Sequence, residues 1–322
     1  QAVADEPEDR LRRGLAQLQA TEFLYETRLF PDLEYTFRHA LTHEVAYGSL
    51  LAERRRALHA RIVETIESLY PERLTEHVER LAHHAVRGEV WEKAVAYCRQ
   101  AGAKAMARSA NREAAAYFEQ ALSALEHLPE DRDTLAQAID LRIELRHALW
   151  PLGEMGRILD YLQRAETQAE TLADHRRLAR VLSTMGYCFW MLGDPDRVAA
   201  SNRRALAIAT SLGDFALEAP ANFALGLAYQ GLGEYHQATG TLNSAIASLQ
   251  GERMYGRFGT AGLTSVLSIM VLAWCQAELG SFAEGIASGE EGVRIAQAVD
   301  HPLSLMFADL GVGQLYLVQG DL

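Results

Sequence analysis

The 322-residue sequence has few cysteines, prolines and lysines. Its three cysteines, Cys98, Cys188 and Cys275, lie far apart and share no local motif, so they cannot supply the clustered thiolates of a zinc site. We expect them to be reduced residues of a buried core. The eight prolines and the scarcity of Asn-Gly turns argue against a β-sandwich. Only Lys93 and Lys104 are lysines, which we interpret as a compositional bias.

A secretory signal and a membrane span are also missing. The first ten residues, QAVADEPEDR, are acidic and contain no apolar core. The longest apolar run, VLSIMVLAWC at 266–275, is about half the length of a membrane span. We therefore expect a cytoplasmic protein with no membrane partner. Because the sequence begins at Gln1 and stops within a recurring pattern at Leu322, we also expect a fragment of a longer protein.

The charge balance is acidic, with a formal net charge of −12. The strongest basic patch combines residues 54–56 with Arg61, but Glu53, Glu64 and Glu67 are interleaved with it. An acidic field does not favour phosphate backbones. We interpret this patch as a solvated helix face or a domain contact, and nucleic acid is not an expected partner.

A recurring segment dominates the second half of the sequence. A glycine closes the first part of each copy, at positions 153, 193, 233, 280 and 320, with spacings of 40, 40, 47 and 40. The clearest copies are MGYCFWMLGDPDRVAASNRRAL (185–206), LGLAYQGLGEYHQATGTLNSAI (225–246) and LAWCQAELGSFAEGIASGEEGV (272–293). A period near 40 with two apolar-striped segments per copy predicts stacked helix pairs.

Each small residue of a copy has a predicted structural role. Gly226 lies where two helices cross closely, and Gly233 ends the first helix in a left-handed conformation. Ala238 and Ala245 share one face of the second helix. The glycines do not form a phosphate loop, because no Lys-Ser or Lys-Thr follows them, the preceding segment is helical, and Glu234 would repel phosphate.

These positions resemble the tetratricopeptide repeat over residues 135–322, although the usual closing proline is absent. The matching residues in one copy are Leu225, Gly226, Tyr229, Gly233, Tyr235, Ala238 and Ala245. The resemblance implies an all-α superhelix whose first helices line an inner groove that binds a protein or peptide. In this register the groove residues are Tyr187, Trp190, Phe223, Gln230, Trp274 and Glu278. For Trp190 and Trp274, packing between repeats is an equal alternative.

The upstream sequence departs from the period of 40. Residues 89–106 and 111–125 both match the pattern of the second helix of a copy. We predict that 75–134 form irregular leading helices of the same superhelix. Residues 1–74 differ. They predict a helix at 11–18, two strands at 21–29 and 33–39 joined by Phe-Pro-Asp, and helices at 39–51 and 53–70. On the last helix, an apolar stripe is formed by Leu58, Ile62, Ile66 and Leu69.

The stretch YTFRHALTHEVAYGSLLAERRRALHARI (35–62) resembles the end of the winged-helix segment in bacterial multidomain regulatory ATPases. The likeness is to adenylate or guanylate cyclase-like proteins, which carry a cyclase domain, an ATPase domain and then tetratricopeptide repeats. It implies that residues 1–74 are the C-terminal part of a winged-helix module and that 75–322 are the superhelix. It also implies that the upstream ATPase domain is a partner and that any active site lies before residue 1.

No catalytic, cofactor or metal site is predicted within this sequence. His39 and His43 lie four apart beside Glu44, but the order differs from the metalloprotease motif and a third ligand is missing. No Ser-His-Asp order stands out. We therefore expect a non-catalytic scaffold for protein interaction or autoregulation in a larger nucleotide-dependent signalling protein. The alternatives are the repeat region of a large ATP-dependent transcription regulator and, third, an enzyme.

Overall fold

The structure, a computed structural model, describes residue 3, residues 6–28 and residues 34–320. These residues form mainly α-helices, with one two-stranded sheet and short 3-10 segments at Pro71–Glu76, Trp150–Leu152 and Gly251–Tyr255. The elements are α1 (Glu8–Ala20), β1 (Leu24–Arg28), β2 (Glu34–Phe37), α2 (Ala40–Gly48), α3 (Ala52–Leu69), α4 (Val78–Arg87), α5 (Trp91–Ala107), α6 (Asn111–Leu125), α7 (Arg132–Leu149), α8 (Met155–Thr171), α9 (His175–Met191), α10 (Pro195–Leu212), α11 (Phe215–Gly231), α12 (Tyr235–Ser248), α13 (Thr264–Glu278), α14 (Phe282–Ala298) and α15 (Pro302–Gln319).

The chain divides into two compact units, Gln1–Thr134 and Leu135–Leu322. The second unit coincides with the segment in which the period of 40 was found. The predicted domain boundary between residues 74 and 75 rests on the resemblance of 35–62 to a winged helix and stays a prediction.

The first unit contains the predicted hairpin. Strands β1 and β2 pair antiparallel, with Leu24 opposite Phe37 and Tyr25 opposite Thr36. Alternating aromatic and polar residues favour such a pair. The predicted Phe-Pro-Asp turn at residues 30–32 lies outside the described residues.

The buried stripe of α3 differs from the predicted one. The buried side chains are His59, Val63 and Ile66, whereas Leu69, a predicted stripe member, is 60% exposed. The stripe is rotated because a histidine takes an inward position, where its ring nitrogens find hydrogen-bond partners. Counting apolar residues alone could not find it.

Helices α3 to α6 pack in sequence, and charged pairs fix the contacts between them. Both lysines take part: Lys93 Nζ lies 2.6 Å from a carboxylate oxygen of Glu67 on α3, and Lys104 Nζ lies 2.9 Å from Glu79 on α4. Between α5 and α6 the fit is tight, because a Cβ placed on Gly102 would lie 2.6 Å from the ring of Phe118.

The second unit consists of helix pairs separated by the predicted glycines. The φ angles of the five glycines are 71°, 71°, 75°, 76° and 81° for Gly153, Gly193, Gly233, Gly280 and Gly320. The left-handed conformation predicted for Gly233 is therefore confirmed, and the other four glycines share it. A Cβ at these positions would meet no atom within 4 Å, so the backbone conformation, not space, favours glycine.

Aspartates begin three successive helices of this unit. Asp174 and Asp194 accept hydrogen bonds from the backbone N–H of Arg177 and Arg197, and Asp214 accepts one from Ala216. Each caps N–H groups that a helix start leaves unpaired, so it fixes where the helix begins.

The pairs stack as a tetratricopeptide-like superhelix. The first helices (α7, α9, α11, α13 and α15) form one layer, in which α9 contacts α11, α11 contacts α13, and α13 contacts α15. The second helices (α8, α10, α12 and α14) cover the other side. We call the solvent-exposed side of the first helices the first-helix face.

The extra seven residues of the 47-residue spacing lie between α12 and α13. They form the 3-10 segment Gly251–Tyr255 and a loop. Phe258 of the loop packs edge-on against Phe215, with ring centroids 5.1 Å apart, and Arg253 lies over the same Phe215 ring at 4.5 Å. The added length therefore falls between two pairs.

None of the described helices is both long enough and apolar enough to span a bilayer.

Candidate functional site

Close crossings within the pairs hold the first-helix layer in place. A Cβ on Gly226 of α11 would lie 2.4 Å from the side chain of Leu242 on α12, which is fully buried. At the equivalent position of α9, a Cβ on Gly186 would lie 2.1 Å from Nδ2 of Asn202. The prediction that only a small side chain fits at Gly226 is confirmed, and the second helix fills the space that the glycine leaves.

An aromatic and cationic cluster lies where α7 meets α9. The Trp150 and Tyr187 rings stack with centroids 4.8 Å apart. The guanidinium carbon of Arg146 lies 4.9 Å from the centre of the Trp150 ring and 5.0 Å from that of Tyr187. Tyr187, predicted as a groove residue, remains 39% exposed. We call Arg146, Trp150 and Tyr187 the Arg146 cluster.

The side chains in direct contact with Arg146 are neutral. Its Nη1 donates to Nδ1 of His147 at 3.2 Å, and its buried Nε has no hydrogen-bond partner. Burial and the neighbouring Arg146 lower the pKa of His147, so this partner is neutral near pH 7. Among the described residues, no carboxylate lies within ion-pair distance of Arg146.

Three other predicted groove residues lie against one apolar cluster. Trp190, Phe223 and Trp274 are half-buried, and they pack around a core from α11, α12 and α13 that includes Leu242 and Met270. They therefore contribute to packing between repeats while keeping an exposed part. The indole Nε1 of Trp274 is buried without a hydrogen-bond partner.

The last two predicted groove residues are polar. Gln230 is half-buried near the end of α11, and Glu278 is exposed at the end of α13. The structure thus distributes the six predicted residues over α9, α11 and α13. Their participation in partner binding stays a prediction.

A polar cluster in the first unit joins α2, α3 and α4. Nδ1 of His59 lies 2.7 Å from Nδ1 of His84, and Nε2 of His59 lies 2.9 Å from the hydroxyl of Tyr47. Arg87 donates to that hydroxyl at 3.3 Å. Because one proton is shared between the two Nδ1 atoms, both rings cannot be protonated in this geometry.

Burial and cationic neighbours favour the neutral form of these histidines. Desolvation, together with His59, His83, Arg80 and Arg87, lowers the pKa of His84 to about 4. The pKa values of His59 and His83 are also lowered, mainly by desolvation. No group of three or more histidine, cysteine, aspartate or glutamate residues with metal-binding geometry occurs in the described part of the chain.

The arginines at 54–56 are largely occupied by protein contacts. Arg56 pairs with Glu89 at 2.7 Å, and Arg55 lies 5.1 Å above the Tyr47 ring. Upstream, His43 stacks on Tyr47 and contacts Phe37 edge-on at 5.3 Å. These contacts give Arg55, Arg56 and His43 structural roles, whereas Arg54 is exposed.

The three cysteines are buried and lie in different parts of the core. Desolvation raises the pKa of Cys98 and Cys275 to about 12, so neither thiol ionises near pH 7. The expectation that the cysteines are buried core residues is therefore confirmed.

Sequence reasoning missed Arg146 and Trp150. A signal was present, because the two residues lie four apart on one helix face and Trp150 takes the repeat position of Trp190. The missing counter-charge of Arg146, however, depends on non-local packing and has no signature in the sequence.

Comparison with known proteins identifies the class of fold. No family model matches the sequence. An uncharacterized protein of Rhizobium meliloti (strain 1021) is 29% identical over 196 residues, which are 60% of this chain and 18% of that protein. The chain therefore matches less than a fifth of this relative.

Solved structures of repeat proteins share the fold. Aspartyl phosphate phosphatase F from Bacillus subtilis is 15% identical with a TM-score of 0.60, covering 97% of this chain and 75% of that one. A signal transduction ATPase with numerous domains and a tetratricopeptide repeat sensor, from Pyrococcus horikoshii, is 16% identical with a TM-score of 0.56, covering 88% and 48%. A Rap protein complexed with competence and sporulation factor is 15% identical with a TM-score of 0.58, covering 88% and 81%. At these identities the likeness concerns the fold alone.

Proposed function

We propose that the second unit is a non-catalytic scaffold that binds a peptide or a helix of a protein partner on its first-helix face. The observation that carries the proposal is a pair of large exposed side chains on one face of α9, within the layer of stacked first helices. Tyr187 is 39% exposed, and Met191, one turn further along α9, is 55% exposed. Large apolar side chains held on a rigid surface favour binding of an amphipathic segment.

Neighbouring folds support this proposal. One similar Rap protein is complexed with competence and sporulation factor, and a second, a conjugation gene regulator, with a Phr* peptide. Both structures are similar to this chain with TM-scores above 0.5. The fold is thus capable of peptide capture in other proteins.

We further propose that the chain is part of a larger cytoplasmic signalling protein. Residues 1–74 would be the end of a winged-helix module, and 75–322 the sensor of an upstream ATPase or cyclase-like domain. The similar fold of a signal transduction ATPase with a repeat sensor supports this arrangement. Partner binding would bias the upstream activity. If deletion of the repeats leaves the intact protein's activity and its regulation unchanged, this part of the proposal is wrong.

The binding proposal is tested by panning a library of random 12-residue peptides on the full 322-residue chain. We expect enriched peptides that lose binding to Met191→Asp, because a charge at this position opposes an apolar ligand. Ala247→Asp is the matched control, since Ala247 is exposed on the second helix α12. Equal loss with both variants, or no enrichment, would contradict the proposal.

Catalysis is tested separately. We expect the purified chain to turn over neither ATP nor GTP, and measurable turnover that survives further purification would overturn the non-catalytic assignment.

A further inference from the structure

Arg146 differs from the other arginines near it in its lack of an anionic partner. Arg177 and Arg180 on α9 both pair with Asp140, and Arg204 on α10 pairs with Glu166. Arg146 is half-buried as well, yet the side chains that it contacts are neutral: His147, Trp150, Tyr187 and the thiol of Cys188. Glu144 lies two positions earlier on α7, and residues two apart on a helix do not face each other.

A partly buried guanidinium without an anion is unfavourable. Stacking over aromatic rings offsets part of the free energy that the guanidinium loses on desolvation. Because Nε is buried and one N–H of Nη1 bonds His147, the donors left for an acceptor in the same plane are those of the Nη1–Nη2 side of the guanidinium. A carboxylate matches this edge in charge and in geometry.

We propose that Arg146 receives the side-chain carboxylate of an aspartate or glutamate in the bound peptide. Trp150 and Tyr187 hold the guanidinium in place and contact apolar residues on either side of that carboxylate. This inference rests on the proposed function, because it names the chemistry of a ligand for the first-helix face.

The test is a comparison of peptides selected by the full chain and by its Arg146→Gln variant. Wild-type protein is expected to enrich peptides with an acidic residue at a fixed distance from an apolar one. A selected peptide is then synthesised with Glu or with Gln at that position, and both affinities are measured by fluorescence polarisation. We expect the Glu peptide to bind wild-type protein about 10- to 100-fold more tightly, the range expected for a charge-assisted hydrogen bond.

Two further variants distinguish charge recognition from other effects. Arg146→Gln should bind the two peptides equally, and Arg146→Lys, which keeps the charge but loses the planar edge, should retain a reduced preference. Arg164→Gln, an exposed arginine on α8, removes the same charge and should leave the preference intact. Because the Glu-to-Gln change is made in the peptide, the wild-type comparison does not depend on the folding of any variant.

Each outcome decides between the two proposals. If no selected peptide is sensitive to Met191→Asp, the binding function itself fails. If sensitive peptides are selected but show no acidic preference, or keep it in Arg146→Gln, only the role of Arg146 fails. If 10 mM inorganic phosphate, used as a competitor probe at constant ionic strength, removes only the preference for Glu, a general oxyanion site replaces the carboxylate site.

Discussion

Two helix crossings in this protein use opposite physical means. Where α3 meets α4 in the first unit, the buried contact includes the His59–His84 hydrogen bond, and Tyr47 and Arg87 extend it. Where α11 meets α12 in the second unit, Leu242 fills the space above Gly226, and no charged side chain takes part. The first contact depends on protonation and the second on shape.

The same contrast holds at the turns. In the first unit, the left-handed turn positions after α4 and α5 are taken by Glu89 and Ser109, with φ of 55° and 60°. In the second unit, glycine takes the left-handed position within the pairs, as at Gly233, whereas Ala173 and Asp300 take it at two turns between pairs, with φ of 52° and 47°. A left-handed turn between helices is therefore compatible with several residue types, and glycine recurs at every turn within the regular pairs.

Disruption of the apolar crossing between α11 and α12 should cost the most stability. Leu242→Ala should lower the free energy of unfolding of the second unit by about 2–5 kcal/mol, because it leaves a cavity above Gly226. Gly226→Ala alone should cost about 1–3 kcal/mol, because its Cβ would overlap Leu242. Urea unfolding of each variant measures both values.

The double variant sharpens this prediction. Once Leu242 is alanine, the methyl group of Gly226→Ala enters the space that was vacated, so the double variant should be more stable than the sum of the two single effects predicts. Additive losses would show that the two positions do not share a space.

The polar crossing should respond to pH instead. The pKa of His84 is lowered to about 4 in the folded chain, so the unfolded chain, with a value near 6.5, binds the proton more tightly. The stabilisation is complete above pH 6.5 and is lost as the pH falls towards 4. After allowance for partial solvent exposure, we expect this loss to be about 1–2 kcal/mol.

The free energy of unfolding, measured at pH 7.5, 6 and 5, checks the predicted loss of stability on acidification. His84→Leu should reduce the loss of stability on acidification, whereas His236→Leu, on the exposed side of α12, should not change it. An unchanged pH dependence in His84→Leu would show that the histidine pair does not control it.

The smallest effects concern the turns, and they should have opposite signs. Ser109→Gly should stabilise the first unit by about 0.5–1 kcal/mol, because glycine relieves a side chain at positive φ. Gly233→Ser should destabilise the second unit by about 1 kcal/mol for the same reason. Thermal unfolding of the two variants gives the comparison, and shifts of the same sign would contradict it.

Local features of the fold could be read from the sequence. The repeating glycines predicted both the helix pairs and their left-handed turns, and the hairpin followed from alternation in 21–39. The predicted apolar stripe on α3 was wrong because His59 is buried through hydrogen bonds to Tyr47 and His84, which lie 12 and 25 positions away in the sequence. A pattern of apolar residues on one helix does not contain that information.

The candidate site was predictable only in outline. The repeat register placed Tyr187 on an exposed helix face, and the structure leaves it exposed next to Trp150. The isolated charge of Arg146 could not be foreseen, because it depends on which carboxylates its neighbours have already engaged. Asp140, for example, is bonded to Arg177 and Arg180.

The loop between α12 and α13 has a consequence for how this array can change in length. Its seven additional residues lie outside both neighbouring pairs, and Gly233 and Gly280 keep the same backbone conformation on either side. Insertions at such a junction leave each pair's internal fit untouched, whereas one added residue within a pair would rotate its small residues away from their partners. The number of residues in this array should thus change at junctions or by whole pairs.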